Sequence, residues 1–148
     1  MVYEFKARRR VEFSDTDMAG IMHFSNFFRF METAEHGFFR SLGFSIFDKE
    51  RLPRVGWPRV HASCDYHRPL RFEDEVEIHL LVVEKRSKAI TYEIRFNKLG
   101  GPEPEEVARG RLTVVCVSHA ADGTMRATTI PEEIESRIGV APETLFQE

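Results

Sequence analysis

Residues 3–13 alternate, with Tyr3, Phe5, Ala7, Val11 and Phe13 on one side and Glu4, Lys6, Arg8, Arg10 and Glu12 on the other. That period of two predicts a half-buried β-strand. The stretch Ser14–Phe24 carries turn formers and a glycine without sustained periodicity and is expected to be a loop. From Ser25 the rhythm changes. Phe27, Phe28, Met31, Ala34, Phe38, Phe39 and Leu42 recur at three- and four-residue spacing, with Arg29, Glu32, Glu35 and Arg40 between them. This predicts one amphipathic helix of about five turns. Ser25 or Asn26 is placed to cap its start through a side-chain oxygen, and Gly43 to end it in the left-handed conformation. Residues 44–58 mix proline, glycine and charge and read as a connection with room for one short helical turn. Four alternating runs follow, centred on Val60–Tyr66, Val76–Val82, Ile90–Phe96 and Ala108–Cys116. Turn-forming links such as L-G-G-P-E-P-E join them, and A-D-G-T after Ala120 is expected to end the last strand. A short helix over Pro131–Arg137 closes the pattern.

The order of strand, long helix and four sequential strands predicts an α+β domain with a meandering antiparallel sheet, one domain over residues 1–148. A single helix covers only part of such a sheet. At least one edge strand is therefore expected to meet a neighbour, making the protein a homo-oligomer. The composition is that of a globular chain, 42% hydrophobic and 30% charged with a formal net charge of −3. This weakly acidic balance gives no general attraction to nucleic acid or to an anionic membrane surface. The start, M-V-Y-E-F-K-A-R-R-R, lacks the apolar core of a secretory signal, and no run of about 18 apolar residues occurs, so the expected location is cytoplasmic. Cys64 and Cys116 lie far apart in alternating segments and are expected to be buried, reduced thiols.

The stretch S-D-T-D-M-A-G-I-M-H-F places Asp15 and Asp17 directly before the helix. The unpaired N–H groups and partial positive charge of a helix start can stabilise a developing oxyanion, while an adjacent carboxylate attacks or activates water. An ordinary aspartate is ionised at neutral pH and needs no histidine to activate it. The same residues also serve as turn formers and caps, and spacing alone does not separate the two uses. The hairpin link E-K-R-S-K, residues 84–88, gathers three cations suited to phosphate. It is equally a solvated hairpin tip. On the helix, Glu32, Glu35 and His36 lack the H-E-x-x-H spacing of a metal site, so no metal and no cofactor are expected.

The segment F-S-D-T-D-M-A-G-I-M-H-F-S-N-F-F-R-F-M-E resembles the corresponding stretch of the 4-hydroxybenzoyl-CoA thioesterase family. The resemblance continues through C-D-Y-H-R-P-L-R-F-E-D-E-V-E-I and I-P-E-E-I. It implies a hotdog fold, a long central helix wrapped by a five-stranded antiparallel sheet, with two subunits joined edge to edge and the active site at their interface. It also implies hydrolysis of an acyl-CoA to free acid and CoA, with Asp17 as nucleophile or general base. The backbone N–H of Phe24 would polarise the thioester carbonyl, and Gly20 and His23 would belong to the substrate-binding loop. Arg86 and Lys88 match two of three cations that contact the nucleotide in aromatic-acyl members of the family; Ser87 replaces the third. Phe24 stands where relatives commonly carry Tyr or His, which removes a side-chain hydrogen bond there. Two other functions fit the same fold: a hotdog hydratase or dehydratase, which would rely on a histidine paired with an acid, and a non-catalytic acyl-CoA or fatty-acid binding module. A purely structural protein would leave the carboxylate at the helix start without a role.

Overall fold

The computed structural model describes residues 1–147. Its main sheet has five antiparallel strands in the order β1-β4-β5-β6-β3: β1 Glu4–Arg10, β3 Arg59–Tyr66, β4 Glu75–Lys85, β5 Ala89–Lys98 and β6 Glu105–Val115. Helix α1, Asn26–Ser41, packs against one face of this sheet. The expected α+β hotdog architecture is what the chain forms. A second, three-stranded sheet joins β2 Val55–Gly56, β7 Val117–His119 and β8 Met125–Ala127. Helix α2, Glu132–Glu135, follows inside the stretch expected to be helical.

The core forms where α1 meets β4, β5 and β6. Phe30, Met31, Phe38 and Phe39 from the helix pack against Ile78, Leu80, Ile90, Tyr92, Ile94 and Phe96, all essentially without solvent contact. Close approach of helix and sheet depends on Gly110 in β6, where an added Cβ would stand 2.1 Å from the Met31 Cε and 3.0 Å from the Ser63 carbonyl oxygen.

Several local expectations are corrected. β1 ends at Arg10, and Phe13, expected on the buried side, is 78% exposed in a short 3-10 turn, Phe13–Asp15. At the inward position of β1 where the alternation breaks, Arg9 sets its guanidinium 4.5 Å over the Phe30 ring and donates to Thr33 Oγ1 at 3.0 Å. Neither Ser25 nor Asn26 caps the helix through a side-chain oxygen. Ser25 is itself in a helical conformation and its hydroxyl pairs with His23 Nδ1, while the Asn26 amide donates to the Asp15 carbonyl at 2.8 Å. Both side chains tie the preceding loop to the helix instead. Gly43 does take a positive φ of 90° after the last turn. Residues 44–58 contain β2 and no helical turn, and the A-D-G-T turn joins β7 to β8 rather than ending the strands.

The two edges of the main sheet differ. β1 presents Lys6, Arg8 and Arg10 along its polar side and is flanked by the Val2–Ile138 bridge. In β3 every residue but Cys64 is exposed, including Val60 and Tyr66, so this edge is bare on both faces. Long, uncovered edges of this kind are unusual in a monomer.

Candidate active site

The loop before α1 is folded by its own polar groups, and each of its two aspartates gives one carboxylate oxygen to that folding. Asp15 Oδ2 accepts from the Glu12 N–H at 2.8 Å, and the Asp15 carbonyl accepts from the His23 N–H at 2.9 Å and from Asn26. Asp17 sits in a tight turn in which its N–H donates to the Ile21 carbonyl, its carbonyl accepts from the Gly20 N–H, and its Oδ1 accepts from the Ala19 N–H at 2.9 Å. Gly20 completes the turn at φ 79°, a conformation that costs a residue with a Cβ. The second carboxylate oxygen of Asp17 has no protein partner among the described residues. The chain then forms a bridge between Thr16 and Met22, and the Met22 N–H docks on the Leu70 carbonyl at 2.7 Å.

Asp17 opens into a cleft of ≈ 540 Å³ walled by Ile21, Met22, Phe24, Phe27, Tyr66 and Leu70, with Arg68 and Arg71 at its rim. Phe27 is fixed by edge-to-face contacts with Tyr66 at 5.0 Å and Phe96 at 5.1 Å. The Tyr66 hydroxyl donates to the Phe24 carbonyl at 3.1 Å, so the end of β3 holds the residue that precedes the helix. The Phe24 N–H has no acceptor among the described residues. Its ring is 62% exposed and stacks on His23, whose Nδ1 is occupied by Ser25. An unpaired N–H at a helix start, beside a carboxylate with a free oxygen in an apolar cleft, is an arrangement able to support acyl transfer. Gly20 in its turn and Phe24 in the cleft wall are thus gathered around Asp17, while Asp15 and His23 are not among the residues that wall the cleft.

Arg86 and Lys88 are not. Asp17 lies beside Leu70, ahead of β4, whereas the Arg86–Lys88 hairpin follows it, and the 11 residues of that strand span roughly 35 Å. Arg86 is exposed and paired with Glu84 at 2.8 Å. Lys85, the third cation of the hairpin, is spent on the α2 region through Glu135 and the Ile138 carbonyl. Two cations that the sequence pattern passed over, Arg68 and Arg71 in H-R-P-L-R, stand at the cleft instead, with Arg68 paired to Glu105 at 2.7 Å. Their only mark in the sequence is the interruption of alternation directly after β3.

A second polar group lies at the opposite end of β3. Glu35, expected on the solvated face of α1, is fully buried and hydrogen-bonds Arg59, whose Nη1 also donates to the Trp57 carbonyl at 2.7 Å. Burial pushes the Glu35 carboxyl up to about 7, against the Arg59 guanidinium that draws it down. Its other oxygen, Oε2, and the hydroxyl of Tyr92 are buried without a hydrogen-bond partner. Orphaned groups of this kind cost about 1–3 kcal/mol each. His36 is 3.9 Å from both Glu32 and Glu35, yet no cluster suited to a metal occurs among the described residues. Both cysteines are free, and burial pushes their thiols up to about 11, which makes them poor nucleophiles. Among the described residues no helix is long and apolar enough to cross a membrane.

Comparison with known proteins gives a consistent picture. Residues 11–138 match the Thioesterase-like superfamily. A 1,4-dihydroxy-2-naphthoyl-CoA hydrolase of Synechococcus sp. (strain WH7803) is 29% identical over 137 residues, 88% of this chain and 85% of that protein. The structure of a gentisyl-coenzyme A thioesterase is 30% identical, with a TM-score of 0.75 over 88% of this chain and 99% of that one. A 4-hydroxybenzoyl-CoA thioesterase, solved as a mutant complexed with 4-hydroxybenzoyl-CoA, shares the fold at a TM-score of 0.81 and 22% identity, over 90% of this chain and 98% of that one.

Proposed function

This chain belongs to the thioesterase-like superfamily and is a thioester hydrolase, and from that premise we propose that it cleaves aromatic, hydroxylated acyl-CoA thioesters with Asp17 as the reacting carboxylate. The observation that carries the reading is the free Asp17 oxygen beside the unpaired Phe24 N–H, in a cleft walled by aromatic and aliphatic side chains. The acyl class is taken from the hydroxylated aromatic substrates in the names of its relatives.

The thioester carbonyl would accept from the Phe24 N–H, with the N-terminal dipole of α1 supporting the charge that develops on oxygen. Asp17 then acts in one of two ways. Its carboxylate attacks the carbonyl carbon, the C–S bond breaks, CoA leaves as thiolate, and water hydrolyses the mixed anhydride; or it takes a proton from a water that attacks directly. Both end in free acid and CoA.

The working unit in this reading is a homo-oligomer paired through β3, the bare edge. Its opposite ends carry different groups: Tyr66 touches the Asp17 loop, while Arg59 pairs with Val114 beside the 86–88 hairpin, where the Cys116 N–H meets the Lys88 carbonyl. Antiparallel pairing of two copies centred on the strand would set Arg59 of one opposite Tyr66 of the other. Arg86 and Lys88 of the second copy would then approach the Asp17 cleft and supply cations for the CoA phosphates.

The test is release of free thiol across a panel of aliphatic and aromatic acyl-CoAs, with Asp17→Asn beside the wild type. We expect turnover on hydroxylated aromatic esters, reduced at least about a hundredfold in the variant with its thermal unfolding unchanged. Near-normal turnover by Asp17→Asn would remove the mechanism, and thiol release from no ester would favour a binding module.

A further inference from the structure

We propose that Arg59, positioned by Glu35 and backed by Tyr92, reads a hydroxyl substituent on the acyl group bound at Asp17 of a second copy. The inference rests on the hydrolase reading above and on pairing through β3. It names the residues that would select the substrate.

Three observations support it. Arg59 begins the bare edge strand, and its side chain is 31% exposed although its partner Glu35 is wholly buried. The guanidinium has five N–H donors. One group is committed to the Trp57 carbonyl and another to Glu35. The rest have no acceptor among the described residues. Trp57 is itself locked edge-to-face on Phe39 at 5.3 Å, so the carbonyl that orients Arg59 is rigid. Behind the guanidinium, Glu35 Oε2 and the Tyr92 hydroxyl lie buried without partners, with the Phe38 ring edge-to-face on Tyr92. A fold retains uncompensated polar atoms in its core chiefly where something else uses them.

The chemistry of the missing partner follows from what is unspent. Uncommitted N–H donors on the exposed side of Arg59 call for an acceptor, and a hydroxyl oxygen is one. Above pH 7, where Glu35 is ionised and balances Arg59, a carboxylate substituent would bring a second negative charge toward it. A plain hydrocarbon would leave the donors covered and unpaired, the situation in which sites discriminate most strongly against an analogue lacking the group. Arg59 would make the contact. Glu35 acts through it as a positioning residue.

The experiment compares matched esters, 4-hydroxybenzoyl-CoA and benzoyl-CoA, and reads the ratio of their kcat/KM values in wild type, Arg59→Gln, Glu35→Gln and Tyr92→Phe. We expect the wild type to favour the hydroxylated ester at least about tenfold, and each variant to lower that ratio, Arg59→Gln the most. A purely structural role would slow both esters alike and leave the ratio unchanged, which would overturn the proposal. Calorimetric binding of the corresponding non-hydrolysable thioethers to the wild type and to Arg59→Gln decides the matter independently of turnover. A hydroxyl preference in Kd that disappears in the variant supports the proposal even if no ester is hydrolysed, and equal Kd values in the wild type overturn it even if the enzyme is active.

Discussion

Glu35 is the residue whose environment departs furthest from its place in the sequence pattern. Buried against Arg59, its carboxyl titrates at about 7 rather than at the ordinary 4.5, because loss of hydration outweighs the attraction of the guanidinium. The unfolded chain releases this proton first as pH rises. Between pH 4.5 and 7 the folded state therefore binds more protons than the unfolded one, and stability falls with rising pH until the folded carboxyl has also ionised. That gap corresponds to about 3 kcal/mol. Glu35→Gln removes it. In urea unfolding at fixed protein concentration, the stability of wild type relative to this variant is expected to decline by about 3 kcal/mol across the window and to stay level above it. A difference that does not vary with pH would mean that Arg59 keeps Glu35 ionised throughout.

At the scale of elements, the helix sits as close to the sheet as Gly110 permits. In Gly110→Ala the new Cβ would displace the flexible end of Met31 and press on the Ser63 backbone oxygen, which cannot yield without moving β3. The expected loss is about 1–3 kcal/mol of unfolding free energy, read as a lower midpoint of chemical unfolding, and an unchanged midpoint would show that the helix can lift without cost. The long elements were legible in the sequence because each repeats its period several times: α1 through Phe27, Met31, Ala34 and Phe38, β4 through Val76, Ile78 and Leu80, and β5 through Ile90, Tyr92, Ile94 and Phe96. The small sheet was not. β2 has two residues and β7 and β8 three each, too short for a period to register. The helix start misled for a different reason. Ser25 and Asn26 are the right residue types for a cap, but their side chains are used to hold His23 and Asp15, and a competing tertiary partner leaves no mark in the local pattern. The same holds for Glu35, which reads as solvated until Arg59 arrives from β3, 24 residues away. Spacing alone left Asp15 and Asp17 as equal candidates and the family resemblance pointed to Asp17; that Asp17 and not Asp15 lines the cleft shows only in the structure.

On the proposed reading, the whole molecule must reconcile Asp17, the reacting carboxylate of the proposal, at one end of the sheet with Arg86 and Lys88, its proposed phosphate-binding cations, at the other. Within one chain they are separated by the length of β4, too far for the hairpin to reach the Asp17 cleft. Arg68 and Arg71 already stand at its rim. If CoA is held by the hairpin cations, they must come from a second copy. Replacing both Arg86 and Lys88 with alanine is then expected to raise KM for CoA esters with little change in kcat, since phosphate contacts far from the carbonyl contribute binding that is uniform along the reaction. Shared sites also make two defective chains able to repair one another. Asp17→Asn lacks the carboxylate and the double variant lacks the cations, but a mixed dimer of the two has one site in which both are intact and one in which both are missing. With free exchange of subunits at equal concentrations, half the dimers are mixed, so about a quarter of all sites recover. Measured at substrate concentrations well below the raised KM, the mixture should therefore turn over faster than the sum of its two components. Strict additivity would place the cations and the carboxylate of each working site on the same chain, and would leave Arg68 and Arg71 as the groups that meet the phosphates.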